Sequence, residues 1–201
     1  MAEQGNTAVN EQMPDLEKDG VRLHLGIAEQ GKVYALQGRH KMALLYYQTA
    51  IGMTVEAGDP EIFFRAYLES ALESMEHTGM YDEVLDYCNQ ALELYEKTPP
   101  PNEFARFDFA HIHQKKGIIL FKLGRKEEAK EYLQKAIQLI RAEKRQFPLA
   151  DKMLRWIQMG YHLDAQRILE EQYRLNYFAV TPKTVQPQNA IKLPNEPQIG
   201  E

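Results

Sequence analysis

The sequence predicts an all-α protein built from stacked antiparallel helix hairpins. Apolar residues recur three and four positions apart, as across residues 85–95, which is the period of an amphipathic helix. Helix-breaking residues divide the chain into pieces of helical length, and β-branched runs are absent. Glycines recur at comparable intervals between these pieces, at Gly38, Gly79, Gly124 and Gly160.

The breakers place eight helices in order along the chain. The triplet Asp59-Pro60-Glu61 predicts a helix start, because it combines an N-cap, a proline in the first turn and an early acidic residue. The prolines at 99–101 end a helix, Asn102 caps the next one, and Pro148 opens another. The expected helices are about 18–37, 40–56, 60–77, 81–97, 103–123, 126–145, 148–158 and 162–177.

Aligning the chain on the four glycines exposes an internal repeat. Seven residues before each glycine stand Gly31, Leu72, Gly117 and Met153, and four residues before it stand Tyr34, Met75, Leu120 and Trp156. Five residues after it stand Ala43, Val84, Ala129 and Ala165. Small residues at these positions would let the two helices of a hairpin approach closely, and large ones would fill the space between hairpins.

This pattern resembles the tetratricopeptide repeat over roughly residues 20–178. The first and third copies match well, the second has Leu72 in place of glycine, and the fourth is degenerate. The copies are spaced by 41, 45 and 36 residues, longer than the standard repeat of about 34. The resemblance implies a right-handed α-solenoid whose concave face is lined by the first helix of each hairpin.

Three regions follow from composition. Residues 1–17 are expected to be a polar N-terminal arm, and residues 18–178 the solenoid. Residues 179–201 contain four prolines and little apolar surface, so we expect an extended or disordered tail. One interpretation makes the tail a docking strap for a partner that contributes little to the stability of the solenoid. The other makes it a plain flexible terminus.

Composition limits the cellular setting. The chain has 201 residues, a formal net charge of −5, 44% hydrophobic residues and a single cysteine. It contains no run of about 20 apolar residues and no N-terminal signal pattern, so we expect a cytoplasmic protein without a membrane span. The acidic balance makes nucleic acid an unfavourable partner.

No pattern indicates catalysis, a cofactor or a metal. A phosphate-binding glycine loop and a Gly-x-Ser-x-Gly nucleophile motif are both missing. His111 and His113 are two residues apart, so they point to different sides of a helix and cannot share a metal ion. Cys88 occupies a packing position between hairpins, which favours a core role.

The resemblance indicates instead a non-catalytic protein–protein interaction module. It would be an adaptor, an assembly chaperone or a small subunit of a larger complex, and homo-oligomerisation stays open. The alternative is a regulatory receptor in which a small peptide changes the curvature of the superhelix. The residues expected to line the partner-binding groove are Lys32, Glu69, Glu73, Glu76, His111, Lys115, Ile118, Phe121, Lys122, Leu154 and Ile157.

Two features of this groove have more than one interpretation. Residues 54–96 contain eleven acidic residues and one basic residue, whereas residues 115–145 contain ten basic and four acidic residues. These runs are either solvated helix faces or a polarised surface that orients a partner. The apolar groove residues either anchor a partner segment or are covered by the chain's own C-terminal residues or a steeper superhelix.

Overall fold

The computed structural model describes residues 23–197, which form eight α-helices and one short 3-10 turn at Pro187–Asn189. The predicted arm at residues 1–17, the expected start of the first helix at residue 18 and the last four residues lie outside this range. None of the described helices is long and apolar enough to cross a membrane. The helices are α1 Leu23–Leu36, α2 His40–Ala57, α3 Glu61–His77, α4 Tyr81–Lys97, α5 Glu103–Lys122, α6 Lys126–Ala142, α7 Pro148–Gln158 and α8 Ala165–Arg174.

Local sequence signals end and begin these helices. The glycine after the first helix of each hairpin has a positive φ between 74° and 77°, a conformation that a side chain would strain. Asn102 and Asp164 cap α5 and α8 by accepting backbone N–H groups at 2.8 and 2.7 Å. The expected cap at Asp59 is wrong, because α3 begins one residue later and the Asp59 carboxylate lies 3.1 Å from His24.

The first and third hairpins are the closely packed ones, as the repeat predicts. A Cβ atom on Gly31 would lie 2.7 Å from the Tyr47 ring, and one on Gly117 would lie 2.8 Å from Leu133. The hairpin alanines Ala43 and Ala129 are completely buried on the facing helices. Only a residue without a side chain therefore permits this spacing.

The second hairpin is more open. Leu72 replaces the glycine and is itself buried. Contact between α3 and α4 is much less extensive than contact within the α1–α2 and α5–α6 pairs. Instead α3 packs on α2, and α4 packs on α5. The middle of the solenoid is therefore held by its neighbours more than by its own pairing.

The core consists of two hydrophobic clusters. One belongs mainly to α1, α2 and α3, and the other extends from α3 through α8 and includes the fully buried Cys88. The last helix, α8, also contacts the inner helices: Gln172 donates to Glu76 on α3, and Lys152 on α7 pairs with Glu171. The end of the solenoid thus turns back toward its own concave face.

Candidate partner-binding groove

The centre of the concave face is a set of buried ion pairs between α3 and α5. The Lys115 ammonium lies 2.7 Å from Glu69, and the Lys122 ammonium lies 2.7 Å from Glu76. Both side chains of the Lys122–Glu76 pair are 1% exposed. Gln172 of α8 donates to the same Glu76 oxygen at 2.7 Å. The acidic and basic runs of the sequence therefore neutralise each other here instead of facing solvent.

Pairing outweighs burial in setting the charge of the Lys115–Glu69 pair. Burial alone would raise the pKa of the Glu69 carboxyl, but the adjacent Lys115 charge holds this pKa below its ordinary value. Burial would lower the pKa of Lys115, yet the Glu69 carboxylate raises it well above its ordinary value. Both groups are therefore charged, and neither is free to bind a partner's charge.

Glu73 has a different role. It is 3% exposed, and its two carboxylate oxygens accept the backbone N–H groups of Ala179 and Val180. Burial raises the pKa of Glu73 to about 7, although the hydrogen bond from Ala179 opposes this shift. Glu73, the middle one of the three predicted groove glutamates on α3, thus holds backbone that follows α8.

Residues 175–197, here called the C-terminal segment, continue from Glu73 onto the first hairpin. Gln186 N–H donates to the Glu29 carboxylate, and Ile191 N–H donates to the Gly26 carbonyl at 2.9 Å. Leu193 N–H donates to the Tyr46 hydroxyl, also at 2.9 Å. Val185 is buried within this stretch. The segment is extended, with isolated turns, and it lies on the chain's own groove.

Proline positions match this docking. The groove accepts backbone N–H groups from residues 179, 180, 186, 191 and 193, and none of these residues is a proline. Pro182 and Pro187 lie between these residues, and Pro194 and Pro197 follow the last of them. Proline has no N–H to donate, so this order is compatible with the observed register. If the segment were shifted by one residue, Pro187 or Pro194 would take the place of residue 186 or 193, and the hydrogen bond made there would be lost.

Aromatic side chains occupy the groove where the C-terminal segment begins. The Lys115 ammonium lies 5.6 Å from the centre of the Tyr177 ring, and the His111 ring lies 5.8 Å from it. Phe178 is 5% exposed and packs 4.7 Å from the His77 ring. His77 stacks on His40 at 4.3 Å. Burial and the charges of His40 and Lys122 lower the pKa of His77 to about 4, so the imidazole is neutral at pH 7.

The structure separates the predicted groove residues into two groups. Glu73, His111 and Lys115 contact the C-terminal segment. Lys32 pairs at 2.9 Å with Glu29, the carboxylate that accepts the Gln186 N–H of the segment. The remaining predicted residues are taken up by ion pairs or by the hydrophobic core: Glu69, Glu76, Lys122, Ile118, Phe121, Leu154 and Ile157. Of these, Leu154 is half-buried and Ile157 is 8% exposed.

Contact residues absent from the predicted set include Gly26, Glu29, Tyr34, Tyr46 and His77; the Tyr34 hydroxyl donates to Glu196 of the C-terminal segment. Gly26 carried no decisive signal: a glycine within a helix can mark a close approach, but Gly52 also lies within a helix and a Cβ there would meet nothing within 4 Å. The two tyrosines carried no signal either, because buried tyrosines in a repeat normally indicate packing.

Two cavities adjoin the groove. One of about 330 Å³ lies between α1, the start of α2, α3, α8 and the C-terminal segment, and includes His40, Ser74 and His77. The other, of about 300 Å³, lies between α3 and α5 and includes Arg65, Phe104 and His111. Within residues 23–197 no three His, Cys, Asp or Glu side chains are arranged to hold a metal ion.

Comparison with known proteins identifies the repeat. The model of the tetratricopeptide repeat family matches residues 110–143, which span most of α5 and all of α6. Comparison with curated proteins and with solved structures gave no match. The matched residues and the eight consecutive helices together fit a protein made of such repeats.

Proposed function

We propose that this tetratricopeptide-repeat protein binds an extended segment of a partner protein on the concave face of α1, α3 and α5. The tetratricopeptide repeat is a protein–protein interaction module, which gives the class of function. The finer role we assign is that of an adaptor or small subunit of a larger complex. One observation carries the proposal: this face already holds an extended chain by its backbone.

The groove recognises features that any extended peptide offers. Two carboxylates, Glu29 and Glu73, accept backbone N–H groups, so the contact does not depend on the ligand's side chains. Charge-assisted hydrogen bonds of this type are stronger than neutral ones. Selectivity then comes from the aromatic neighbours, His77 and His111, and from the Lys115 ammonium.

The buried ion pairs support this binding face, and Lys115 also contacts the Tyr177 ring of the C-terminal segment. They fix α3 against α5, and the Glu76–Gln172 bond adds α8. A fixed spacing between these helices holds Glu73 and Lys115 in place relative to each other. The groove is therefore largely pre-organised, which reduces the entropy lost when a segment binds.

Selection of random peptides on the full chain tests the proposed function. The C-terminal segment uses the same two acceptors, so affinities are compared in chains that all carry Ile191→Asp to weaken its docking. In that background, adding both Glu29→Gln and Glu73→Gln should lower the affinity of groove-binding peptides at least ~10-fold, since both acceptors of backbone N–H weaken together. The matched control is Glu93→Gln, which changes an exposed glutamate on α4 that is 70% exposed. Selected peptides that bind all three chains equally would place the binding face elsewhere.

The C-terminal segment favours a second function, that of a receptor whose curvature changes on binding. The segment bonds to α1 and α3 together, so its release would remove a link between the first two hairpins. Small-angle scattering decides between the two functions. A selected peptide should leave the radius of gyration unchanged for an adaptor and change it for a receptor.

A further inference from the structure

The first hairpin contains a carboxylate-binding site that the repeat pattern does not indicate. Tyr34 and Tyr46 are 3% and 0% exposed, and both hydroxyls donate to the carboxylate of Glu196. Their rings meet edge to face at 5.3 Å, which directs both phenols to one point. The Arg39 guanidinium lies 4.5 Å from the centre of the Tyr34 ring.

The electrostatics of this site favour an anion. Burial raises the pKa of Glu196, but the hydrogen bonds from the two tyrosines and the charges of Lys192 and Arg39 more than offset it, and the pKa is lowered. Burial and the bond to Glu196 raise the pKa of Tyr34, so both phenols keep their protons and donate. Two buried donors with a nearby cation form a site for an ionised carboxylate.

A second contact lies eight residues before Tyr34 on α1, at a position where a side chain would overlap the C-terminal segment. A Cβ atom on Gly26 would lie 2.3 Å from the Cδ1 atom of Ile191. The Ile191 N–H also bonds to the Gly26 carbonyl, and Leu193 packs against the hydrophobic cluster of α1 and α2. The site therefore binds a segment with an apolar residue, a second apolar residue two positions later and a carboxylate three positions after that, here Ile191, Leu193 and Glu196.

We propose that Gly26, Tyr34, Arg39 and Tyr46 form a binding site for a partner segment of this chemistry, and that residues 191–196 occupy it as an internal ligand. This inference rests on the proposed function and names the ligand class for its N-terminal end.

The internal ligand can leave without unfolding a helix. Residues 182–184 and 186–189, which connect it to the rest of the chain, are exposed, and their helical structure is limited to one short turn. Tethering gives such a segment an effective concentration in the millimolar range. A free peptide must compete with this concentration, so the full chain should bind partners weakly until its own segment is displaced.

The test uses a labelled peptide with the sequence of residues 187–197 and the full chain. In the chain, Ile191→Asp weakens the internal ligand but leaves the site intact. We expect this variant to bind the peptide at least ~10-fold more tightly than the wild-type chain in fluorescence anisotropy, because the tethered competitor is lost. The matched control is Gln188→Asp, an exposed position of the same segment, which should bind as the wild type does.

Changes on the peptide test the carboxylate site itself. A peptide carrying Glu196→Gln should bind the Ile191→Asp chain about 10-fold less tightly, since a charged acceptor becomes a neutral one. Tyr34→Phe in that chain should weaken the original peptide but barely affect the Glu196→Gln peptide, because the Tyr34 hydroxyl donates to the Glu196 carboxylate. Equal binding of both peptides, or equal binding to the wild-type and Ile191→Asp chains, would overturn the proposal.

Two other outcomes are distinguishable. If random selection yields groove-binding peptides but the 187–197 peptide does not bind, the ligand class is wrong and the proposed function stands. If light scattering shows a wild-type dimer that Ile191→Asp converts to a monomer, the occupant is the segment of a second copy, and the proposal of a heterologous partner is overturned.

Discussion

At the scale of single residues, Gly26 on α1 and Glu73 on α3 determine how the C-terminal segment is held. Gly26 provides a gap in α1 that the Ile191 side chain fills. Glu73 provides the carboxylate that fixes the segment's first extended residues. Neither residue contributes much to its own helix, so their effects on docking can be measured separately from helix stability.

Gly26→Ala should detach the segment without weakening α1. The added Cβ would overlap Ile191, whereas alanine is about 1 kcal/mol better than glycine within a helix. Hydrogen exchange should show lost protection at the Ile191 and Leu193 amides, with protection of α1 kept. Gly52→Ala is the matched control, because a Cβ there meets nothing within 4 Å. Unchanged protection at both amides would mean that the close contact is not required.

Glu73→Gln should change the pH dependence of stability. The pKa of Glu73 is raised to about 7 in the folded protein, from an ordinary value of 4.5. The folded state therefore binds this proton more tightly, and its contribution to stability is complete below pH 4.5 and lost as pH rises through about 7.

Chemical denaturation of the wild type and Glu73→Gln between these pH values measures this contribution. The difference in unfolding free energy should change by at most ~1.4 kcal/mol per pH unit, the limit for one proton. Glu93→Gln should show no such change. A constant difference between wild type and Glu73→Gln would mean that Glu73 titrates normally.

At the scale of helices, two ion pairs join α3 to α5, and the Gln172–Glu76 hydrogen bond links α8 to the same site. Lys122→Met should destabilise the fold by about 3–5 kcal/mol, because Glu76 would remain as a buried charge without its counterion. Adding Glu76→Leu should recover most of this loss, with a double-mutant cycle in urea as the measurement. Full additivity of the two changes would show that the side chains do not interact.

Helix positions follow closely from sequence, and their contacts follow less well. The predicted bounds of the fourth and seventh helices, 81–97 and 148–158, are those observed, since turn glycines, prolines and caps act within a few residues. The prediction for α8, 162–177, is too long at both ends, since Asp164 caps it and Asn176 adopts a positive φ. The pairing of Lys115 with Glu69, 46 residues apart, carries no local signal.

At the scale of the whole molecule, the C-terminal segment connects the two ends of the solenoid. Composition alone treats residues 179–201 as having no fold, because the prolines leave little apolar surface to bury. In the structure, however, the groove offers acceptors for the segment's N–H groups and a gap at Gly26 for the Ile191 side chain. Docking of this type depends on the groove, so the tail's own sequence could not predict it.

Deleting residues 191–201 should therefore lower the melting temperature, in contrast to the expectation from composition. Loss of the half-buried Ile191 and Leu193 should cost roughly 1–3 kcal/mol, or about 2–4 °C for each kcal/mol in a chain of this size. The circular dichroism at 222 nm should keep its helical signal. The same deletion should cost less in a Gly26→Ala chain, where the contact is already lost; an equal cost would contradict the docking.

The bond between Tyr34 and Glu196 joins residues 162 positions apart, and this separation has a consequence during synthesis. The first hairpin leaves the ribosome long before its covering residues are made. At roughly 5–20 residues per second, translating the intervening chain takes about 8–32 s. Within that interval, once the first hairpin has left the ribosome, the nascent protein presents Tyr34, Tyr46 and Gly26 uncovered, so a partner present at the ribosome meets no internal competitor. Order of translation thus favours assembly on the nascent chain over assembly after release.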